Sequence, residues 1–474
     1  MRRALLLACV PVALVVLTAT LRPTGADLVD AASTASTFDA LPTLWWATGR
    51  DDVGQHGDGA PGAGTVAPVR VSWRPGVAIP RGVPVQRVSV GDGAACGIAG
   101  GRAYCWGAND HGQLGDGTFD DAASPVPVAT SPSGGSALPA DAVVTDIDVG
   151  AGAACAVADG NVYCWGDNSS GRLGNDSVDG SPVPVAVAVD GAGGSSLPAG
   201  TATRVATGGG GPGSTTAFTC ALADGRAHCW GSRENGRLGN GVASASPRLV
   251  PTPVNGGAWG LDAEITDIAV AESAACAVAN GNVYCWGRAV FGQLGDGSNA
   301  PGVNQTIPLP VETSPASDLP SSPLVSHVAV GATSACAVHD GDLYCWGTNV
   351  AGQLGADLAT GTEPGTTLVR RATAVARAGA GASELPVDAG VVALTAGGRL
   401  GDSSAWCALA APPGGERRAY CWGHGAHGQL GLGDTGDARV PRAVLVHPSS
   451  QLPAGTGLDW VAAGSGVTLM GVGP

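Results

Sequence analysis

From residue 45 onward the apolar positions fall in short β-rich runs separated by turn residues. Residues 145–149 (Thr-Asp-Ile-Asp-Val) and 181–185 (Ser-Pro-Val-Pro-Val) are examples. Beyond the first two dozen residues no helical periodicity is found, so the pattern predicts strands. The runs are organised around one stretch, residues 155–174, CAVADGNVYCWGDNSSGRLG. It returns five more times, and a worn seventh copy lies near the N-terminus.

Within the stretch, Asp159-Gly160 is a two-residue turn signal, because a type I′ turn needs positive φ at both central positions. Pairing outward from it places Val157 opposite Val162, Ala156 opposite Tyr163 and Cys155 opposite Cys164. The cysteines then fall on a non-hydrogen-bonded site, where Cα atoms come within about 4.5 Å, a separation that suits a cystine. The same spacing puts Cys96 and Cys105 around Gly100-Gly101, and Cys220 and Cys229 around Asp224-Gly225. It also puts Cys276 and Cys285 around Asn280-Gly281, and Cys336 and Cys345 around Asp340-Gly341. The sixth pair, Cys407 and Cys421, has a turn widened by Pro412, Pro413 and Gly414.

Each hairpin is followed by Trp-Gly, a loop and Gly-Gln/Arg-Leu-Gly, as at Trp106-Gly107 and Gly112–Gly115. A Pro/Val run comes next. With the run before the hairpin, that makes four strands per unit. The Trp-Gly landmarks stand at 106, 165, 230, 286, 346 and 422. The two ends of the chain hold half-units. Trp46-Ala47-Thr48-Gly49 aligns with Tyr104-Cys105-Trp106-Gly107, and residues 463–466 align with 90–93. Leu469 and Ala47 then stand where a cystine stands elsewhere. Joining the halves completes a seventh unit and hides two strand edges. Between units recurs Ser-x-Leu-Pro, at Ser136, Ser195, Ser317, Ser383 and Ser450, read as punctuation before the next strand. The longest insertion, 355–393, holds Arg370-Arg371 and is expected to be a tolerated surface loop.

Residues 1–26 have the form of a secretory signal. Arg2 and Arg3 open it, residues 5–21 are apolar apart from Thr18 and Thr20, and Thr24-Gly25-Ala26 offers a cleavage site. An uncleaved anchor over residues 4–21 is the alternative. Residues 27–44, rich in Ala, Ser and Thr, read as a linker, and 45–474 as the folded array. Thirteen cysteines leave only Cys9 outside the hairpin pairs, and pairing this regular points to an oxidising compartment. No Cys-x-x-Cys occurs, which argues against zinc.

Formal charge is −15, and all 24 basic residues are Arg. An acidic chain is a poor partner for nucleic acid. No Gly-x-Ser-x-Gly, His-Glu-x-x-His or calcium-loop order is found, and the run 208–215 lacks the Lys of a phosphate loop. It reads as a wide turn. No catalytic residue, cofactor or metal site is expected, and the folded array is expected to be monomeric. Trp73, Trp259 and Trp460 lie off the repeat pattern and are the candidate exposed anchors for a partner, with packing under loops the competing role. His56, His111, His424 and His427 fall in equivalent loops, so an enzyme of carbohydrates working in a central funnel is an alternative.

The Cys-Ala-Val/Leu, Gly-x-Val-Tyr-Cys-Trp-Gly and Gly-Gln-Leu-Gly elements resemble the regulator of chromosome condensation repeat family over about residues 45–474. The resemblance implies an all-β, seven-bladed β-propeller of four-stranded blades closed by its two ends. The family usually has His-Ser/Thr where this chain has Ala-Cys, as at Ala95-Cys96, a departure that fits an extracytoplasmic branch with a cystine in each blade. Founding members exchange nucleotide on a nuclear GTPase, which makes exchange-factor activity one alternative. No acidic-tipped hairpin matching that role is found here. Another branch senses ultraviolet light through clustered Trp; here the motif Trp residues come one per blade. A third is secreted by bacteria and inhibits β-lactamases through one propeller face. The expectation is therefore a secreted or surface-attached, non-catalytic module that binds a protein or glycan. It would meet a membrane only through the N-terminal segment.

Overall fold

The structure is a computed structural model that describes residues 45–472 apart from 72–78, 81, 212, 261, 298–302, 357, 359–367, 399–403, 445–449 and 454. The N-terminal segment, the linker, Cys9 and Trp73 lie outside the described residues. Seven antiparallel sheets of four strands form the blades. The innermost strands are Val85–Val90, Val144–Val149, Ala202–Gly208, Ile265–Val270, Val325–Val330, Gly390–Gly397 and Trp460–Ala463, for blades 1 to 7. Each packs against the next, and the last returns to the first. Among the described residues no α-helix occurs.

The central hairpins form as the spacing predicts. Cys155 pairs with Cys164, Val157 with Val162 and Ala158 with Asn161. Asp159 and Gly160 have φ of 46° and 74°, and the other four two-residue turns also carry positive φ at both positions. All six cysteine pairs are disulfide-bonded, with Cα atoms 4.0–4.1 Å apart. The core lies between blades, where second and third strands are buried on both faces. The linker Ser-x-Leu-Pro earns its recurrence twice. Leu138, Leu197, Leu319 and Leu385 are buried plugs. Ser136 and Ser195 donate from Oγ to the Ala129 and Ala188 carbonyls, at 2.8 and 2.7 Å.

Blade 7 is composite. Its order is Thr65–Arg70, Trp45–Gly49, Val467–Gly471 and Trp460–Ala463, from outside to inside. Ala47 pairs with Leu469 at the cystine position. Trp46 packs into the blade 6 core and Trp45 into the blade 1 core, where it stacks on Trp106 with ring centroids 6.2 Å apart.

Arg370 and Arg371 correct one expectation. They lie in Leu368–Ala374, the outer strand of blade 5, and not in a loop. The strand pairs Ala374 with Tyr344, and Arg371 donates from Nε to Glu312 at 2.7 Å. The long stretch between motif and strand hid the period-two pattern.

Candidate functional site

The inner strands leave one edge unpaired, and their side chains decide what the central channel presents. At its wide end the channel opens into a cavity of about 650 Å³. It narrows to about 100 Å³ at the other end, beyond Val90, Val149, Thr207 and Val270. The inner-strand residues that pair two positions past the cystine site of the second strand form a ring. Around it stand Arg87, Asp146, Arg204, Asp267, His327, Ala393 and Trp460, one per blade. Four consecutive blades thus alternate in charge.

The carboxylates of the ring are used by the fold itself. Asp146 is buried; it pairs with Arg87 Nε at 2.8 Å and accepts the Val205 N–H at 2.8 Å. Asp267 pairs with Arg204, and its other oxygen accepts the Val328 N–H at 3.0 Å. One layer deeper, Asp148 accepts the Thr207 N–H and the Ser89 hydroxyl, both at 2.7 Å. Burial pushes the Asp146 and Asp148 carboxyls above the usual carboxylate range. Thr395 accepts the Ala463 N–H at 3.1 Å in the same manner. Each contact satisfies an edge N–H of the next blade, a donor that buried backbone cannot leave unmade.

The guanidinium groups are different. Arg87 and Arg204 are about a third exposed, at 38% and 31%, and line the cavity with donor edges to spare. Gln86, Thr145 and Thr203 add exposed polar groups at the rim. The arrangement offers donors and withholds carboxylates.

The sequence candidates fare unequally. Trp259 is not an exposed anchor: it is 9% exposed. It meets Tyr284 and Trp286 edge-on at 5.5 and 5.7 Å and fills the linker position that Leu138 and Leu385 fill elsewhere. Trp460 is half-buried on the channel wall, its indole packed over Gly471. The four histidines do not converge. His56 is buried beside Asp51. His424 and His427 of blade 6 share a small crevice with Ser465, while His111 belongs to blade 1. Among the described residues no group of three His, Cys, Asp or Glu is placed to hold a metal. The charged ring escaped the sequence reading. Aligning the first strands position by position brings it out, since Arg87, Asp146, Arg204 and Asp267 occupy one column.

The motif Trp residues have a defined place. Trp106, Trp165, Trp230, Trp286, Trp346 and Trp422 each donate from Nε1 to a carbonyl of the preceding blade, at 2.7–3.0 Å. The acceptor is the Gln or Arg of Gly-Gln/Arg-Leu-Gly, or, for Trp106, the Gln of Gly54-Gln55-His56-Gly57. The second Gly of that motif lies under the indole: a Cβ on Gly115 would sit 2.7 Å from Trp165 Nε1. In blade 7, Thr48 Oγ1 takes the role and donates to Gly428 at 2.8 Å.

At the end where third strands run into fourth, loop tips are exposed and apolar. Phe119 and Val178 occupy the same position in blades 1 and 2, and Val242, Val290, Val303 and Val350 stand in the corresponding loops of blades 3, 4 and 5.

The pattern of the regulator of chromosome condensation (RCC1) repeat matches residues 100–157, 159–210, 280–338 and 418–470. A second pattern for the same repeat matches 144–172. This chain is an RCC1-repeat propeller. It is 33% identical over 226 residues to the human E3 ubiquitin-protein ligase HERC2, a match that covers 46% of this chain and 4% of that one. It is 28% identical over 398 residues to the ultraviolet-B receptor UVR8 of Arabidopsis thaliana, covering 80% and 76%. In structure this RCC1-repeat chain resembles yeast RCC1 (Prp20) bound to Kap60, with TM-score 0.68 and 20% identity over 96% of this chain and 97% of that one. Human WBSCR16 gives 0.67 and 19%, covering 90% and 99%. At these identities the solved structures speak for the fold alone.

Proposed function

We propose that this RCC1-repeat propeller is a non-catalytic, exported module that binds a protein through the face carrying its third-to-fourth-strand loops. The observation that carries the reading is that six of the ten exposed large apolar side chains among the described residues, Phe119, Val178, Val242, Val290, Val303 and Val350, lie in the third-to-fourth-strand loops of blades 1 to 5. Exposed apolar groups clustered on one face of a rigid scaffold favour a partner surface. Under those loops every complete blade is clamped by a cystine, so little ordering entropy is lost on binding. The cystines also support an oxidising compartment. The reading of non-catalysis draws support from the wide end of the channel, where Asp146, Asp148 and Asp267 are taken up by backbone N–H groups, a serine and arginines. Yeast RCC1 (Prp20), of the same fold, is solved bound to Kap60, so a propeller of this form can serve as a protein-binding scaffold.

The test is capture of partners from the organism's own surface extract by the full chain and by a Phe119→Asp/Val178→Asp variant. A partner held by the parent and lost by the folded variant supports the reading. A partner held equally by both sinks the choice of face.

A further inference from the structure

The wide end of the channel is built as a site and the loop-face reading makes no use of it. Three features define its chemistry. Arg87 and Arg204 stand two blades apart in the charged ring, each fixed by one buried aspartate. Their remaining N–H groups have no partner among the described residues and border the cavity. A guanidinium held on one edge and open on the other is preorganised for a planar, bidentate acceptor. The aspartates present no open face to a ligand's donors, because Asp146 and Asp267 are only 2% and 3% exposed and turn their oxygens to the fold. Acceptor-rich ligands are therefore favoured over amines or metal cations.

The second feature is the wall. Trp460 stands beside Arg87, on the adjacent blade, with Ala393 next to it on the other side, and both border the cavity. An indole beside a cation suits a flat or ring-shaped body, whose C–H face packs on the aromatic surface while its polar groups reach the donors. The third is the rim. Thr145 and Thr203 are exposed there, and their hydroxyls make only long bonds, 3.4 and 3.5 Å, to the Val157 and Leu222 carbonyls. Gln86 completes the polar rim. A volume of about 650 Å³ falls within the roughly 300–1,000 Å³ of small-ligand sites.

We infer that the wide mouth of the channel is a binding site for a carboxylated sugar, its carboxylate on Arg87 and Arg204, its ring against Trp460 and its hydroxyls on Thr145, Thr203 and Gln86. The inference is independent of the protein-binding face at the other end of the channel. The net negative chain repels anions at long range, so the site recognises by short-range contact, and added salt weakens the pairing with the exposed guanidinium groups.

The experiment is calorimetric titration of the full chain with tri-galacturonate, and with maltotriose as the uncharged control. Tri-galacturonate is expected to bind and maltotriose to bind at least tenfold more weakly. Arg87→Gln and Arg204→Gln should each weaken tri-galacturonate roughly 10- to 100-fold, the loss expected for a charge-assisted hydrogen bond. Because each Gln variant also strips a buried aspartate of its partner, Ala393→Trp serves as the second variant. It fills the cavity and leaves all ring charges in place. It should abolish binding while the melting temperature stays close to the parent's. Equal affinity for the two sugars overturns the inference. So does parental affinity in Ala393→Trp, or the absence of tri-galacturonate binding at millimolar concentration.

Discussion

Trp106 donates its indole Nε1–H to the Gln55 carbonyl oxygen at 3.0 Å, across the seam between blade 7 and blade 1. The contact is the seventh blade's share of a lock repeated around the ring. It joins a residue of the N-terminal half-repeat to the first complete blade, so the lock does the same work at the composite seam as elsewhere.

Trp106→Phe should cost about 2–4 kcal/mol, since the smaller ring leaves part of a buried pocket empty and strands a buried carbonyl. Trp165→Phe should cost a similar amount through Gln113. Equilibrium denaturation of both variants checks this. Loss near zero in both would mean that neither the indole bond nor the indole's bulk holds the seams.

The composite blade should open first. It lacks a cystine, and Thr48 stands where other blades have Trp. Hydrogen exchange should be fastest, among buried strands, in Val467–Gly471 and Trp45–Gly49. The register also predicts a remedy. Ala47→Cys/Leu469→Cys places two thiols at the site that carries a cystine in every other blade. On oxidation the chain-entropy argument gives about 6 kcal/mol for residues so far apart in sequence, and since engineered links deliver less, a gain of about 3–5 kcal/mol is expected. A pair that oxidises and leaves the melting temperature unchanged would show that another blade limits unfolding.

The six native cystines each close a short hairpin, for which the chain-entropy argument gives roughly 2.5–3 kcal/mol. Peptide mapping without reduction should recover six links, each within one repeat. Any link between repeats contradicts the hairpin register.

His56 gives the closing blade a pH dependence. It is 2% exposed, where the other six blades have Leu. Its Nε2–H donates to the Gly49 carbonyl at 3.2 Å, and Nδ1 lies 3.7 Å from Asp51. Burial lowers the imidazole pKa below its ordinary 6.5, against the pull of Asp51. The unfolded chain therefore binds the proton more readily. Stability is full above about pH 6.5 and falls as pH drops toward the depressed value. Burial raises the Asp51 carboxyl, which acts in the opposite sense and at lower pH. Melting curves at pH 7.5 and 5.5 should show a larger acid loss for the parent than for His56→Leu. Equal losses would rule His56 out as the source.

Architecture was legible because each blade repeats a motif whose parts have separate physical reasons. Asp159-Gly160 sets the turn, Cys155 and Cys164 face each other, and Gly115 leaves room for Trp165. The alignment of Ala47 with Leu469 predicted the closing pair. What the motif does not contain was harder to read. Trp259 looked free because its linker lacks the Ser-x-Leu-Pro signal, yet it fills the same plug. Arg370 and Arg371 looked like loop because a long stretch separates them from Trp346. The channel ring stayed hidden because its one column changes residue type from blade to blade, and a site assembled from one residue per blade leaves no local motif.

The closing pair has one more consequence. Trp45 faces Gly471 at the start of one strand and the end of the other, so the chain enters and leaves the propeller at the same end of an antiparallel pair. Tension applied between those two points would peel the pair one hydrogen bond at a time instead of shearing all of them together. Under load the ring is a zipper with its tab at blade 7. A pull on the N-terminal side alone, opposed by a partner gripping the loop face, would instead be borne by the anchored Trp45 and Trp46. The way this propeller is held decides whether it opens.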